Sequence, residues 1–179
     1  MSTLKVNSII PVAGVPTGGG GGIVQVVQSV KNDIATGTVT RTTEWTGHNL
    51  TVSITPTATS SKIYISGFVS IGFDTSESIW YKLMKGGSAI SGATGDQVGS
   101  NRTRSTTGTY MKGDNWAIQA IPINYLDTAG STSALTYTVG FGQFSDSNKT
   151  LYINSPANTT DTASYPTLVS VLTAMEVSA

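Results

Sequence analysis

The chain has 179 residues and a mass of 18.6 kDa, enough for one ordinary domain with a real core plus an appendage. Only 11% of its residues are charged, and ten basic side chains balance ten acidic ones, so the totals carry no electrostatic footprint for nucleic acid or anionic lipid. Without cysteine there is no disulfide framework, thiolate chemistry or zinc-thiolate site, and stability has to come from packing or assembly.

With 28 Thr, 22 Ser and 20 Gly, the composition favours strands, turns and a hydroxyl-covered surface over helix. Residues 1–17 read as an extended arm, too short for a core of its own. Yet Leu4, Val6, Ile9 and Ile10 stand there among polar neighbours and need a surface to bury against, which predicts docking on a partner. Glycines fill 18–22. They read as a hinge that leaves arm and domain orientationally independent, or alternatively as close backbone packing along a threefold axis. No Lys-Ser or Lys-Thr follows them and no strand precedes them, so they do not form a phosphate-binding loop. Neither a signal-peptide pattern nor a bilayer-length apolar run is present, and the expectation is a soluble chain made in the cytoplasm, without membrane insertion.

From residue 23 the hydrophobic period is two. The first expected strand is Ile23 to Val30, with Val24, Val26 and Val30 on one face and Gln25 and Ser29 on the other. Thr38 to Glu44 and Leu50 to Thr55 follow, and then the clearest pattern of the chain, Lys62 to Phe73, where Ile63, Ile65, Val69, Ile71 and Phe73 alternate with smaller or polar residues. Ile79 to Lys85 is next. The segment from Gly86 to Asn115 is the least periodic and is expected to be surface loops with a short strand or two. Trp116 to Tyr125 holds Pro122, which calls for a bulge or an edge position. Ala134 to Phe141, Thr150 to Asn154 and Leu168 to Val177 complete about nine short strands, a number typical of an all-β antiparallel sandwich or jelly roll. The last strand is apolar on both faces. Either a loop covers its second face, or Val169, Val171, Leu172 and Met175 pack on another copy around a symmetry axis.

Little in the sequence points to catalysis. His48 is the only histidine and stands outside any Gly-x-Ser-x-Gly context, which reads as a loop or strand-end residue. The carboxylates are dispersed, with no His pair or Cys cluster, so no metal or cofactor site is expected; Asp74 with Glu77, or Asp146 with Asn148, could hold a calcium ion in a loop, but such acid-rich turns are more often simply solvated. Recognition is the chemistry left. Arg102, Arg104, Tyr110 and Asn115 bring donors, an amide and a ring into the least periodic segment, where Arg can fork onto an acidic sugar and an aromatic ring can stack on a sugar face. The plainer reading is that they decorate a solvated loop or bridge protomers. Trp45, Trp80 and Trp116 read as core or interface aromatics.

The opening Ser2-Thr3-Leu4-Lys5-Val6-Asn7-Ser8-Ile9 resembles the N-termini of many fibre and appendage proteins of tailed bacteriophages, those of marine hosts and cyanobacteria above all. The ending Leu172-Thr173-Ala174-Met175-Glu176-Val177 looks like the last strand of the small β domains that tip such fibres. Ile121-Pro122-Ile123-Asn124-Tyr125-Leu126-Asp127 with Leu135-Thr136-Tyr137-Thr138-Val139 is similar to a paired-strand segment of those domains. This resemblance implies a homotrimeric, jelly-roll-like knob over 23–179, docked to other virion proteins by the arm and assembled in the host cytoplasm. It implies a non-enzymatic short fibre or fibre-tip adhesin that meets a host-surface glycan or protein. A capsid or tail decoration without receptor binding is the alternative, and a small glycan-active enzyme a remoter one.

Overall fold

The computed structural model describes residues 22–145 and 147–178. The expected arm, with Leu4, Val6, Ile9 and Ile10, lies outside the described residues, as do 18–21 of the glycine run and Asp146. Among the described residues the strands are β1 (Ile23–Lys31), β2 (Ala35–Val39), β3 (Thr51–Ile54), β4 (Lys62–Phe73), β5 (Glu77–Lys85), β6 (Ser88–Ala89), β7 (Thr107–Met111), β8 (Ile118–Thr128), β9 (Leu135–Gln143), β10 (Lys149–Ile153) and β11 (Ser170–Val177). They form two antiparallel sheets, one of six strands and one of five, packed as a sandwich, so the all-β expectation holds.

Each sheet is organised around one long strand whose far edge is divided. In the first, β8 runs along one edge of β4 from Lys62 to Gly72. The other edge is shared end to end: β11 takes Lys62 to Phe68, and β10 takes Ile71 to Phe73. Beyond β11 lies β1, and beyond β10 lies β2. In the second sheet β9 lines one edge of β5, with β3 outside it, while β7 and β6 divide the opposite edge.

Period-two alternation sends Ile63, Ile65, Val69, Ile71 and Phe73 of β4 inward, where they meet Ile79 and Leu83 of β5, Tyr137, Val139 and Phe141 of β9, and Val52 and Ile54 of β3. Two buried tyrosines tie the sheets together. Tyr81 donates to the Pro122 carbonyl at 2.8 Å, and burial pushes its phenol up to about 12; Tyr137 donates to Asp127 at 2.8 Å, and Lys85 donates to the same carboxylate oxygen at 2.6 Å.

Several boundaries differ from the sequence reading for local reasons. The second strand begins at Ala35 and stops at Val39, because Thr40 bonds back to the Thr43 amide and turns the chain before Glu44. Pro122 causes no bulge: β8 keeps one continuous register with β4 and has no other strand beside it among the described residues, so a residue without an N–H is tolerated. Gly86 to Asn115 does hold two short strands, β6 and β7. In β11, Leu172 and Ala174 point into the sandwich's own core; Leu172 is therefore not on the outward face with Val171 and Met175, since neighbours along a strand face opposite ways.

The edge strand β1 is fastened by a buried acid. Glu176 of β11 accepts from Gln25 of β1 and from the amide and hydroxyl of Thr57. Burial alone raises this carboxyl, but the hydrogen bonds, with Ser61 contributing, outweigh it and hold the pKa down to about 2. Since the unfolded chain titrates near the ordinary value of 4.5, the stabilisation is full above that pH and is lost as pH falls through about 2. Thermal melts from neutral pH downward are expected to show Tm declining below about pH 4.5. Glu176→Gln, which cannot ionise, is expected to lower Tm at neutral pH and to flatten that decline.

Candidate interaction surfaces

The outward face of the six-stranded sheet is built in rows set by register. Val26 of β1, Met175 of β11, Tyr64 of β4 and Leu126 of β8 stand side by side across four strands. Two residues along, Gln28, Thr173, Ser66 and Asn124 form a polar row, and two further on Val30, Val171, Phe68 and Pro122 form a second apolar one. Val26 is 54% exposed, Leu126 55% and Val30 55%. At the end of the face Ile23, Lys62, Tyr64, Leu126, Met175 and Val177 line a shallow groove of about 590 Å³, in which, among the described residues, Lys62 carries the only charge.

The polarity of β1 is the telling point. Its outward positions are Val24, Val26, Gln28 and Val30, whereas its inward positions are Gln25, Val27, Ser29 and Lys31. A sandwich that meets water on this side would show the opposite distribution. Among the described residues β1 is also an edge strand of nine residues, a long apolar edge of the kind that soluble proteins cover or interrupt. Thus the predicted Val171 and Met175 share an outward face, with Val169 37% exposed just before β11, while the sequence reading missed Val26, Tyr64, Phe68 and Leu126. The valine phase of β1 was visible in the sequence; its direction was not.

On the outer side of the five-stranded sheet a second surface takes shape around two glycines of β9. A Cβ at Gly140 would overlap Met84 and Glu44, and one at Gly142 would overlap the Trp80 indole. Their absence leaves a trough. Trp80 lies across it, buried, with its ring N–H donated to the Gln143 carbonyl at 3.1 Å, and Lys82 beside it pairs with Glu44. The 95–105 loop closes the other side, braced by Arg104, whose Nε donates to the Gly95 carbonyl at 2.7 Å. The result is an open cavity of about 1170 Å³ lined by Arg41, Glu44, Lys82, Arg102, Arg104 and Phe144, among others.

Of the predicted loop residues, the structure brings Arg102 and Arg104 to this cavity. Tyr110 is elsewhere, 64% exposed on β7, and Asn115 accepts from the Asn158 amide near the Trp116 and Tyr165 ring pair. Trp80 and Trp45 pack as expected of core aromatics, but Trp116 is 60% exposed and belongs to neither the core nor the cavity. Arg41, Lys82 and Phe144 were not picked out, because they join the cavity from three segments far apart in sequence.

His48 is wholly buried, with T-shaped contacts to Trp45 and Phe141. Its Nε2 donates to the Val139 carbonyl at 2.8 Å, and its Nδ1 accepts the Leu50 amide at 3.1 Å. Burial lowers its pKa and keeps the ring neutral, so both nitrogens are spent on the backbone. Among the described residues no cluster of three His, Cys, Asp or Glu side chains is placed to hold a metal. Asp74 accepts from the Thr75 hydroxyl and Glu77 from the Ser78 amide. The chain matches no protein-family model, and no curated protein is similar to it.

Gly142→Val is expected to drive the Trp80 ring out of its trough, costing about 1–3 kcal/mol by overpacking. A lower Tm together with a red-shifted tryptophan emission would be the reading; an unshifted emission would mean the ring has another place to lie.

Proposed function

We propose that the protein is a non-enzymatic structural protein of a tailed-phage virion, a short fibre or fibre tip that assembles as a homotrimer and presents its β domain to the host surface. The observation that carries the assembly half of this reading is the inverted polarity of β1, continued as apolar rows across β11, β4 and β8. Burying such a face against identical copies removes the apolar rows from water, while Lys62, exposed at its margin, donates to the Thr128 hydroxyl and can keep its charge in solvent. Val171 and Met175 belong to that interface; Leu172 does not.

The virion half rests on the resemblance of the two chain ends and of the Ile121 to Val139 segment to phage appendage proteins. The arm, through Leu4, Val6, Ile9 and Ile10, docks the trimer to the particle, and three copies of each surface multiply weak single-site affinities by proximity.

Two measurements test this reading. The full-length protein is expected to run as a trimer in light scattering, and Val26→Asp with Leu126→Asp, both exposed in the single chain, to give a folded monomer with unchanged far-UV circular dichroism. A wild-type monomer would refute the assembly. Removal of Met1 to Gly22 is expected to leave a folded trimer that no longer enters particles. A truncated protein that still enters them would refute docking by the arm, and one that no longer trimerises would make the arm part of the trimer core.

A further inference from the structure

We infer that the cavity on the outer side of the five-stranded sheet is a binding site for an acidic saccharide. Among the described residues, four of the chain's ten basic side chains, Arg41, Lys82, Arg102 and Arg104, line it, against one of its ten acidic ones, Glu44. In a chain of net charge zero this concentration is local, and a wall of one sign in a concave site attracts the opposite charge. The four cations are not equivalent. Lys82 is held by Glu44, and Arg104 braces the 95–105 loop through the Gly95 carbonyl, so these two set the shape of the site. Arg102 is exposed, and no side-chain partner engages it among the described residues. Its planar fork is therefore open to a carboxylate or sulfate.

The rest of the lining selects among anions. Phe144 is 53% exposed at the rim, a ring face onto which the C–H face of a sugar can stack. Hydroxyl and amide side chains of the 97–103 segment, with the Glu44 carboxylate, suit a ligand rich in hydroxyl groups. A volume of about 1170 Å³ lies just above the usual range for small-molecule sites and suits an oligosaccharide better than a simple ion. A single-stranded polynucleotide would use a succession of stacking rings along a basic groove; among the described lining residues only Phe144 offers an exposed ring, since Trp80 is buried in the floor. The inference deepens the attachment role proposed above and rests on it for the biological source of the ligand, not for the chemistry of the site.

Calorimetric titration of the full-length protein with trigalacturonic acid and with a heparin-derived sulfated tetrasaccharide tests it. Binding of at least one is expected, together with no measurable binding of neutral maltotriose. Arg102→Gln is expected to weaken binding about tenfold, the loss of one charge-assisted hydrogen bond, with Tm unchanged. Raising salt from about 50 to about 500 mM should weaken it as well, since the site is open to solvent. Equal affinity for maltotriose, an unaffected Arg102→Gln variant, or binding of neither acidic probe would overturn the inference. So would tighter binding of an oligothymidylate, which would make the site a polynucleotide groove, or equal binding of inorganic sulfate, which would make it a plain anion trap. Native mass measured on the same sample separates the two proposals: a monomer that binds the acidic probe removes the trimer and keeps the site, and a trimer that binds neither probe removes the site alone.

Discussion

The rest of the structure depends on how the far edge of β4 is completed where it passes from β11 to β10. Between Phe68, the last residue paired with β11, and Ile71, the first paired with β10, the backbone would be left with groups that no ladder satisfies. A buried polar cluster fills the gap. Ser170 Oγ accepts the Ser70 amide at 3.0 Å and donates to Asn154 Oδ1 at 2.6 Å, the Asn154 amide N–H donates to the Ser70 carbonyl, and the Ser70 hydroxyl donates to the Val169 carbonyl. Asn154 holds a positive φ of 63°, a conformation Asn tolerates better than most residues, and its side-chain amide reaches the carbonyls of Lys31 and Asp33. One asparagine thereby ends β10, seats β11 and fixes the turn from β1 to β2. Satisfied networks of this kind specify one arrangement of a core where apolar contacts alone would permit several.

From that junction the two faces of the six-stranded sheet diverge. Inward, β11 contributes Leu172, Ala174 and the hydrogen-bonded Glu176; outward, it contributes Val171, Thr173 and Met175 in rows with β1, β4 and β8. The inward acid and the outward valines have one cause. β1 is held to the domain by its ladder with β11 and by Gln25, which donates to Glu176 and to the Thr55 carbonyl; Val27 packs inward on the core, while Val24, Val26 and Val30 stay exposed on the outward face. The opposite side of the molecule solves another problem, because Gly140 and Gly142 give up side-chain packing on β9 to make room for Trp80 and Glu44. The proposed assembly face and the proposed saccharide site thereby lie on different sheets, so that burying one would leave the other open.

Legibility in the sequence followed the range of the interactions involved. The strand Lys62 to Phe73 was read to the residue, since Ile63, Ile65, Val69, Ile71 and Phe73 recur at alternate positions and all are buried. β2 was displaced because the Thr40 hydroxyl turns the backbone there, a local bond that hydropathy does not register. Tyr110 and Asn115 were grouped with Arg102 and Arg104 by nearness in the chain, yet β7 carries Tyr110 away while β5 brings Lys82 in.

By itself the sequence determined the class of structure: period two, abundant Thr and Gly and the absence of cysteine permit an antiparallel β sandwich held by packing. It also showed that β11 is apolar on both faces and that β1 sets Val24, Val26 and Val30 on one face against Gln25 and Ser29 on the other. Only the tertiary structure decided which side of each strand is inside. Alternation fixes the relation between neighbours along a strand and not the sign of the pattern; that sign comes from the strand's partners, here Glu176, whose hydrogen bond with the Gln25 side chain turns the polar side of β1 inward. The cationic cavity was likewise a matter of tertiary structure, because Arg41, Lys82, Arg102 and Phe144 stand far apart along the chain and meet only where β5, β9 and the 95–105 loop converge.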